Sequence, residues 1–100
     1  MTKAERWAKI AALGCIVCIN NDVPGTPCEI HHLRVATGAA QRAHWSRTIG
    51  LCPCHHRQGD GSERFEGQYG YHVAPRTWAL KYGAQEDLLI QTNTLIGADE

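Results

Sequence analysis

The spacing of hydrophobic positions predicts a helix at the start of the chain. Four of these positions repeat at i, i+3, i+4 and i+7, namely Trp7, Ile10, Ala11 and Gly14. This is the period of one helix face, so we expect an amphipathic helix over residues 3–13. Thr2 and Glu5 form the capping-box pattern that begins such a helix, and Gly14 is placed to end it as a left-handed C-cap.

The middle of the chain predicts a two-stranded hairpin. Cys28–Arg34 and Arg47–Leu51 are expected to pair as antiparallel strands, joined by a loop over residues 36–46. Gln58–Tyr71 contains four glycines and alternating charges, which predicts a surface loop.

Two helices are predicted near the end of the chain. Pro75 is expected at the first position of a helix that runs through Trp78 and Tyr82 and stops at Gly83. Acidic residues then open a final amphipathic helix that ends at Gly97. Its members are Glu86, Asp87, Leu88, Leu89, Thr92, Leu95 and Ile96. The predicted fold class is therefore α+β.

Length and composition narrow the class of protein. One hundred residues make one domain, so we expect residues 1–100 to share one core. The hydrophobic content of 43% and charged content of 20% exclude a disordered chain. No apolar run approaches the roughly 20 residues that span a bilayer, and no secretion signal follows Met1. We expect a cytoplasmic protein without membrane contact.

The net charge of zero excludes a globally basic nucleic-acid-binding protein. The segment from Ile30 to Arg57 nevertheless contains four arginines and no acidic residue, which allows a local basic face. Guanidinium groups can hold a phosphate backbone without reading its sequence. We assign DNA contact to Arg34 and Arg57.

The cysteines indicate a metal rather than disulfides. There are five, an odd number, in a chain without a secretion signal. Cys15-x-x-Cys18 and Cys52-x-x-His55 are two pairs with the spacing that converges on one tetrahedral ion, which predicts a closed, structural zinc site. The first three ligands are the cysteines of these pairs, and His55 is the preferred fourth. Cys54 and Cys28 remain alternatives for that position.

Two histidine pairs complete a pattern that resembles a known class of nuclease. Cys-x-x-Cys, then Glu29-Ile-His-His-Leu33, then Ile49-Gly-Leu-Cys-Pro-x-His-His56 resembles an HNH (ββα-metal) endonuclease with a bracketing zinc site. With Leu-Cys-Pro-x-His-His-Arg and the later Tyr-Gly-x-x-Glu-x-Leu-Leu, the chain resembles, over roughly residues 8–90, the phage recombination enhancement function (Ref) family of RecA-dependent nucleases. The fold this implies is a small zinc-stabilised ββα-metal, treble-clef-like domain with flanking helices.

The resemblance implies a role for each remaining histidine. His31 would bind a catalytic divalent ion and His32 would act as the general base. His56 would be a further catalytic metal ligand and His72 a candidate third, while His44 would stabilise the hairpin connection. The ion would be Mg²⁺ or Mn²⁺, with Zn²⁺ or Ni²⁺ as alternatives, because imidazole ligands leave the choice open.

The resemblance also implies partners. The substrate would be DNA, either single-stranded or a recombination intermediate, in a bacterial host cell, and a RecA filament is a further partner. This chain begins almost at the globular domain, without the family's basic N-terminal extension, so we expect weak DNA affinity and leave RecA dependence open.

Elementary geometry leaves two questions to the structure. Adjacent strand residues point to opposite faces, so His31 and His32 share a site only if the strand twists or ends there. Asp60 could bind the ion through water, but a solvated charge is the favoured interpretation. The alternative function is a non-catalytic zinc module that binds nucleic acid or a protein.

Overall fold

A computed structural model describes residues 1–34 and 44–98. In these residues the chain forms helices packed on a two-stranded sheet, which confirms the α+β class. The elements in chain order are α1 (Lys3–Leu13), α2 (Ile16–Asn20), β1 (Glu29–His32), β2 (Thr48–Leu51), α3 (Pro75–Tyr82) and α4 (Gln85–Ile96).

The first helix begins and ends at the predicted residues, but the conformation of its C-cap differs. The Glu5 N–H donates to Thr2 Oγ1 over 3.1 Å and the Thr2 N–H donates to Glu5 Oε1 over 2.9 Å, so the capping box is present. Gly14 is the C-cap of α1, as predicted, and its N–H donates to the Ile10 carbonyl. Its φ of 86° is positive, which favours glycine, but its ψ of −166° is not that of the left-handed helical conformation that was expected. Directly after Gly14, the Cys15 N–H donates to the Thr26 carbonyl at 2.9 Å. A Cβ on Gly14 would lie 2.6 Å from that carbonyl oxygen.

The inward face of α1 includes a charged residue that periodicity did not indicate. Arg6 is 2% exposed and Ile10 is fully buried, whereas Ala11, expected on the apolar face, is exposed. The Arg6 guanidinium donates to Thr48 Oγ1 at 3.0 Å, to the Thr48 carbonyl at 2.6 Å and to Asn93 Oδ1 at 2.8 Å. Arg6 therefore joins α1 to both β2 and α4.

The hairpin forms in the expected place with shorter strands. β1 pairs antiparallel with β2, with Glu29 opposite Leu51 and His32 opposite Thr48. One further hydrogen bond, from the Leu33 N–H to the Arg47 carbonyl at 3.0 Å, extends the pairing beyond the strands. All four residues of β2 are buried between the flanking elements. Most of the predicted connection lies outside the described residues.

The chain after β2 folds back on itself, which a simple surface loop does not do. Cys54–Gln58 forms one π-helical turn, and the loop that follows returns beside it through an Asp60–Tyr69 bridge. The return requires a residue without a side chain, because a Cβ on Gly70 would lie 2.9 Å from the Cys54 carbonyl oxygen. The His72 N–H then donates to the His56 carbonyl at 3.0 Å. Residue 72 is thereby brought back to residue 56.

The last two helices lie where the sequence predicts them. Pro75 is at the start of α3, and Gly97 ends α4 in the left-handed conformation. Trp78 is fully buried, and its indole Nε1 donates to the His55 carbonyl at 2.9 Å. On α4 the expected inward residues are buried except Leu95, which is 50% exposed. Among the described residues, no helix is both long and apolar enough to cross a membrane.

Candidate functional site

Four buried side chains from three parts of the fold meet in one cluster. Cys15 and Cys18 lie at the start of α2, Cys52 follows β2, and His55 lies in the π-helical turn. The Cys18 and Cys52 sulfurs are 3.8 Å apart. His55 Nδ1 lies 3.7, 3.5 and 3.2 Å from the sulfurs of Cys15, Cys18 and Cys52. This cluster could hold a structural metal ion.

The donor set and its spacing fit zinc. A tetrahedral zinc ion, with bonds of about 2.3 Å to sulfur and about 2.0 Å to nitrogen, separates two sulfurs by about 3.8 Å and sulfur from nitrogen by about 3.5 Å. The observed separations lie close to both values. Hydrogen bonds with Cys15 and His55 lower the pKa of Cys52, which favours a thiolate at that residue, whereas the hydrogen bond with Cys52 raises the pKa of Cys15 and burial raises that of Cys18.

His55 is held for this role by an acceptor on the far side of its ring. Gln68 Oε1 lies 2.9 Å from His55 Nε2 and 2.7 Å from the hydroxyl of Tyr82. That hydroxyl accepts from the Tyr69 N–H at 3.0 Å and so donates its own proton to Gln68. Gln68 therefore presents oxygen, Nε2 of His55 carries the proton, and Nδ1 faces the three sulfurs.

The two alternative fourth ligands lie outside the cluster. Cys54 is half-buried and does not belong to the Cys₃His cluster, whereas Cys52, two residues earlier, does. The Cys28 thiol instead donates to the Ile10 carbonyl at 3.6 Å. The structure thus places His55, rather than either cysteine, beside the three ligands.

A second cluster contains three histidines from separate segments. His31 comes from β1, His56 from the π-helical turn, and His72 from the end of the returning loop, and their ligand atoms lie within 4.8 Å of one another. The His31 and His56 ring centroids are 5.1 Å apart, and those of His56 and His72 are 4.9 Å apart. Three imidazoles that converge in this way could hold a second metal ion.

The environment favours neutral imidazoles at His31 and His72. Burial, with a smaller contribution from the facing His56, lowers the pKa of His31 to about 4. Burial and His56 also lower the pKa of His72. A neutral ring keeps a lone pair for a metal, so both residues are ready ligands at physiological pH.

The three-histidine cluster lies in a cavity of about 240 Å³ that the predicted site residues share. The lining residues are Ile30, His31, His32, Arg34, His56, Arg57 and His72. A larger cavity of about 420 Å³ lies elsewhere, beside Arg6 and Trp45, and includes none of these histidines. The smaller cavity, which brings together metal-ligating and basic side chains, is therefore the candidate reaction site.

His32 shares the cavity but does not join the three ligands. Strand alternation places it on the face opposite His31, and its ring packs edge-on against Trp7 with centroids 5.8 Å apart. His32, the last residue of β1, is nevertheless one of the residues that line the cavity. Its role as general base remains a prediction.

Arg57 is partly engaged by an acid that sequence reasoning left without a role. Its guanidinium donates to Glu29 Oε2 at 2.7 Å, and Glu29 Oε1 accepts from His56 Nδ1 at 2.8 Å. Arg57 and then His56 lower the pKa of Glu29 to about 2, so Glu29 is ionised. A carboxylate on Nδ1 leaves Nε2 as the ligand atom of His56.

Two weaker candidates lie outside the cavity. His44 Nδ1 lies 2.9 Å from the Ser46 hydroxyl, and the His44 carbonyl accepts from the Arg47 N–H at 2.8 Å, in the turn that enters β2. Asp60 is exposed and accepts from the Ser62 N–H at 2.9 Å. The second arrangement agrees with the solvated-charge interpretation.

Sequence analysis gave no role to three residues whose oxygens accept hydrogen bonds from the clustered histidines, namely Glu29, Gln68 and Gln85. Each holds a histidine from a distance in sequence that no local motif spans: Gln85 Oε1, for example, lies 2.9 Å from His31 Nε2, 54 residues away. Only the quoted Glu-Ile-His-His motif, which includes Glu29, could have directed attention to one of them.

The fold and its clusters define a small α+β protein whose Cys₃His cluster is consistent with a zinc-stabilised ββα domain. The chain belongs to the family described as recombination enhancement, RecA-dependent nuclease, which matches residues 2–96. By its family it is thus a nuclease of recombination that depends on RecA. No curated protein matches the chain at a significant level.

Proposed function

We propose that this protein is a metal-dependent DNA endonuclease of the HNH type that hydrolyses phosphodiester bonds during phage or prophage recombination, with RecA. The observation that carries the proposal is the three-histidine cluster in a cavity that arginines also line. A zinc or nucleic-acid-binding module needs only the Cys₃His cluster. A second group of converging imidazoles beside basic side chains is better explained by phosphoryl chemistry.

His31, His56 and His72 are the residues that would hold the catalytic divalent ion, Mg²⁺ or Mn²⁺, with Zn²⁺ or Ni²⁺ as alternatives. Such an ion polarises the phosphoryl oxygen and stabilises the departing 3′ oxygen. Three protein ligands leave coordination positions for phosphate and water. The Cys₃His cluster, with all four positions filled, would hold a structural Zn²⁺ instead.

His32 is the proposed general base, because it lines the cavity without belonging to the ligand cluster. A neutral imidazole there can take a proton from the attacking water at physiological pH. Packing against Trp7 restricts the movement of the His32 ring.

Two arginines at the cavity would bind the DNA backbone. Arg34 is exposed and is the first phosphate contact that we assign. Arg57 already forms an ion pair with Glu29, so it would bind phosphate through the guanidinium N–H groups that the ion pair does not use. Backbone contacts of this kind carry no sequence information. The proposed substrate is single-stranded DNA or a recombination intermediate.

A cleavage assay on plasmid and single-stranded DNA tests the proposal. The wild type would be compared with His32→Ala and with a control, Lys9→Ala, an exposed residue of α1 that does not line the cavity. Reactions would contain Mg²⁺, Mn²⁺ or Ni²⁺, with and without RecA and ATP, and metal analysis would confirm that bound zinc is unchanged. We expect ion-dependent cutting that falls at least 100-fold in His32→Ala only. Zinc-loaded, folded protein that never cuts DNA would favour the binding module.

A further inference from the structure

Gln85, the first residue of α4, has its side-chain orientation fixed by backbone groups. The Arg34 N–H donates to one amide atom of Gln85 over 3.1 Å, and the other amide atom donates to the Arg34 carbonyl over 3.3 Å. A backbone N–H can only donate, so the atom facing it must be the oxygen. The two ends of the Gln85 amide are therefore assigned by their partners.

The same oxygen determines where the proton lies on His31. Gln85 Oε1 lies 2.9 Å from His31 Nε2. Because this oxygen has no hydrogen, the bond exists only when His31 Nε2 donates. In a neutral ring the lone pair then lies on Nδ1, since an imidazole has one protonated nitrogen and one free nitrogen.

We propose that Gln85 is a positioning residue that holds His31 as the Nε2–H tautomer, so that Nδ1 is the atom His31 offers to a divalent ion in the three-histidine cluster. The inference rests on the metal site of the proposed function and adds a residue from outside the cavity. Its consequence is that the end of β1 and the start of α4 together set the position of one ligand.

At the neighbouring histidine, His56, the hydrogen-bond partner behind the ring selects the opposite nitrogen. His56 is bonded through Nδ1 to the Glu29 carboxylate at 2.8 Å, so it offers Nε2. Two histidines of one cluster thus present opposite nitrogens, and each choice follows from the acceptor behind the ring. Partners of this kind commonly change metal affinity 10–100-fold when they are removed.

The tautomer can be read without any activity measurement. Long-range ¹H–¹⁵N spectra of the zinc-loaded protein, before a second ion is added, distinguish a protonated Nε2 from a protonated Nδ1 for each histidine. We expect His31 to be Nε2–H in the wild type and a mixture of both tautomers in Gln85→Leu. A wild-type His31 protonated on Nδ1 would overturn the proposal.

Metal affinity provides the second readout, with Co²⁺ titrated into protein whose Cys₃His cluster already holds zinc. We expect Gln85→Leu to bind Co²⁺ 10–100-fold more weakly. Gln85→Glu should lose less affinity than Gln85→Leu, because one carboxylate oxygen still accepts from His31 and the Arg34 N–H, although the bond to the Arg34 carbonyl is lost. The control is Gln91→Leu, on the same helix, whose side chain instead bonds Asn20 at 2.6 Å. Equal affinity in Gln85→Leu and wild type, or equal losses in both leucine variants, would refute the positioning role.

These measurements separate the two proposals. If Co²⁺ binds and the tautomer is as expected but DNA is not cut, the nuclease function fails and the role of Gln85 stands. If the wild type takes up no second ion, the metal role assigned to Gln85 fails together with the proposed catalytic ion.

Discussion

Replacing Arg6 by methionine tests whether a buried charge stabilises this small fold. The guanidinium is 2% exposed and donates three hydrogen bonds, to Thr48 Oγ1, the Thr48 carbonyl and Asn93 Oδ1. Among the described residues no carboxylate forms an ion pair with it. Burial lowers the Arg6 pKa, which means that the environment disfavours the charge.

Two opposing effects set the magnitude. Methionine fills similar space and removes the cost of burying a charge, which by itself would be neutral or stabilising. Against this, hydrogen bonds that involve a charged group contribute about 1.5–3 kcal/mol each, and a buried acceptor left without a donor costs about 1–3 kcal/mol. Thr48 Oγ1 keeps its hydrogen bond to the Trp45 carbonyl, so the acceptors that are left without a donor are the Thr48 carbonyl and Asn93 Oδ1. We expect Arg6→Met to lower the free energy of unfolding by about 2–4 kcal/mol.

The assay is urea and thermal unfolding of zinc-loaded protein, followed by circular dichroism. A loss of this size lowers Tm by roughly 10–25 °C in a domain of this length. Lys9→Met is the matched control, because it removes one positive charge from an exposed position of the same helix and should change stability by less than about 0.5 kcal/mol. An Arg6→Met protein as stable as the control, or more stable than wild type, would refute the reasoning.

Three further predictions concern other parts of the fold. Gly70→Ala places a Cβ 2.9 Å from the Cys54 carbonyl oxygen, so the loop must shift and carry His72 with it. We expect Co²⁺ titration to show at least tenfold weaker binding at the three-histidine cluster, with zinc content unchanged. Binding as tight as in the wild type would contradict this prediction. Cys18→Ser removes a ligand of the Cys₃His cluster, and because such a zinc site supplies on the order of 10 kcal/mol of folding free energy, we expect loss of zinc and of the cooperative unfolding transition. The Thr2 hydrogen bonds lower the pKa of Glu5 below 4.5, so its contribution to stability is complete above that pH and is lost as pH falls through the lowered value. In a pH series of unfolding curves, the stability difference between wild type and Glu5→Gln should therefore shrink as pH falls through that value, and a difference that stays constant with pH would exclude this contribution.

The sequence by itself determined the local elements and the first metal cluster. Helix ends were readable because capping residues and glycines act within a few positions, as Thr2, Pro75 and Gly97 show. The Cys₃His cluster was readable because its ligands come in two pairs, and each pair needs only a local turn to converge. The structure confirmed that His55 lies with these cysteines.

Tertiary structure alone decided which side chains meet across the fold. His31 rather than His32 joined the three-histidine cluster because strand alternation and the position of the returning loop select one face. Gln85 and Arg6 acquired their partners 54 and 42 residues away, contacts that no periodic pattern encodes. A polar side chain on a helix looks solvated in the sequence, and only packing shows whether it is buried against an acceptor or a metal ligand.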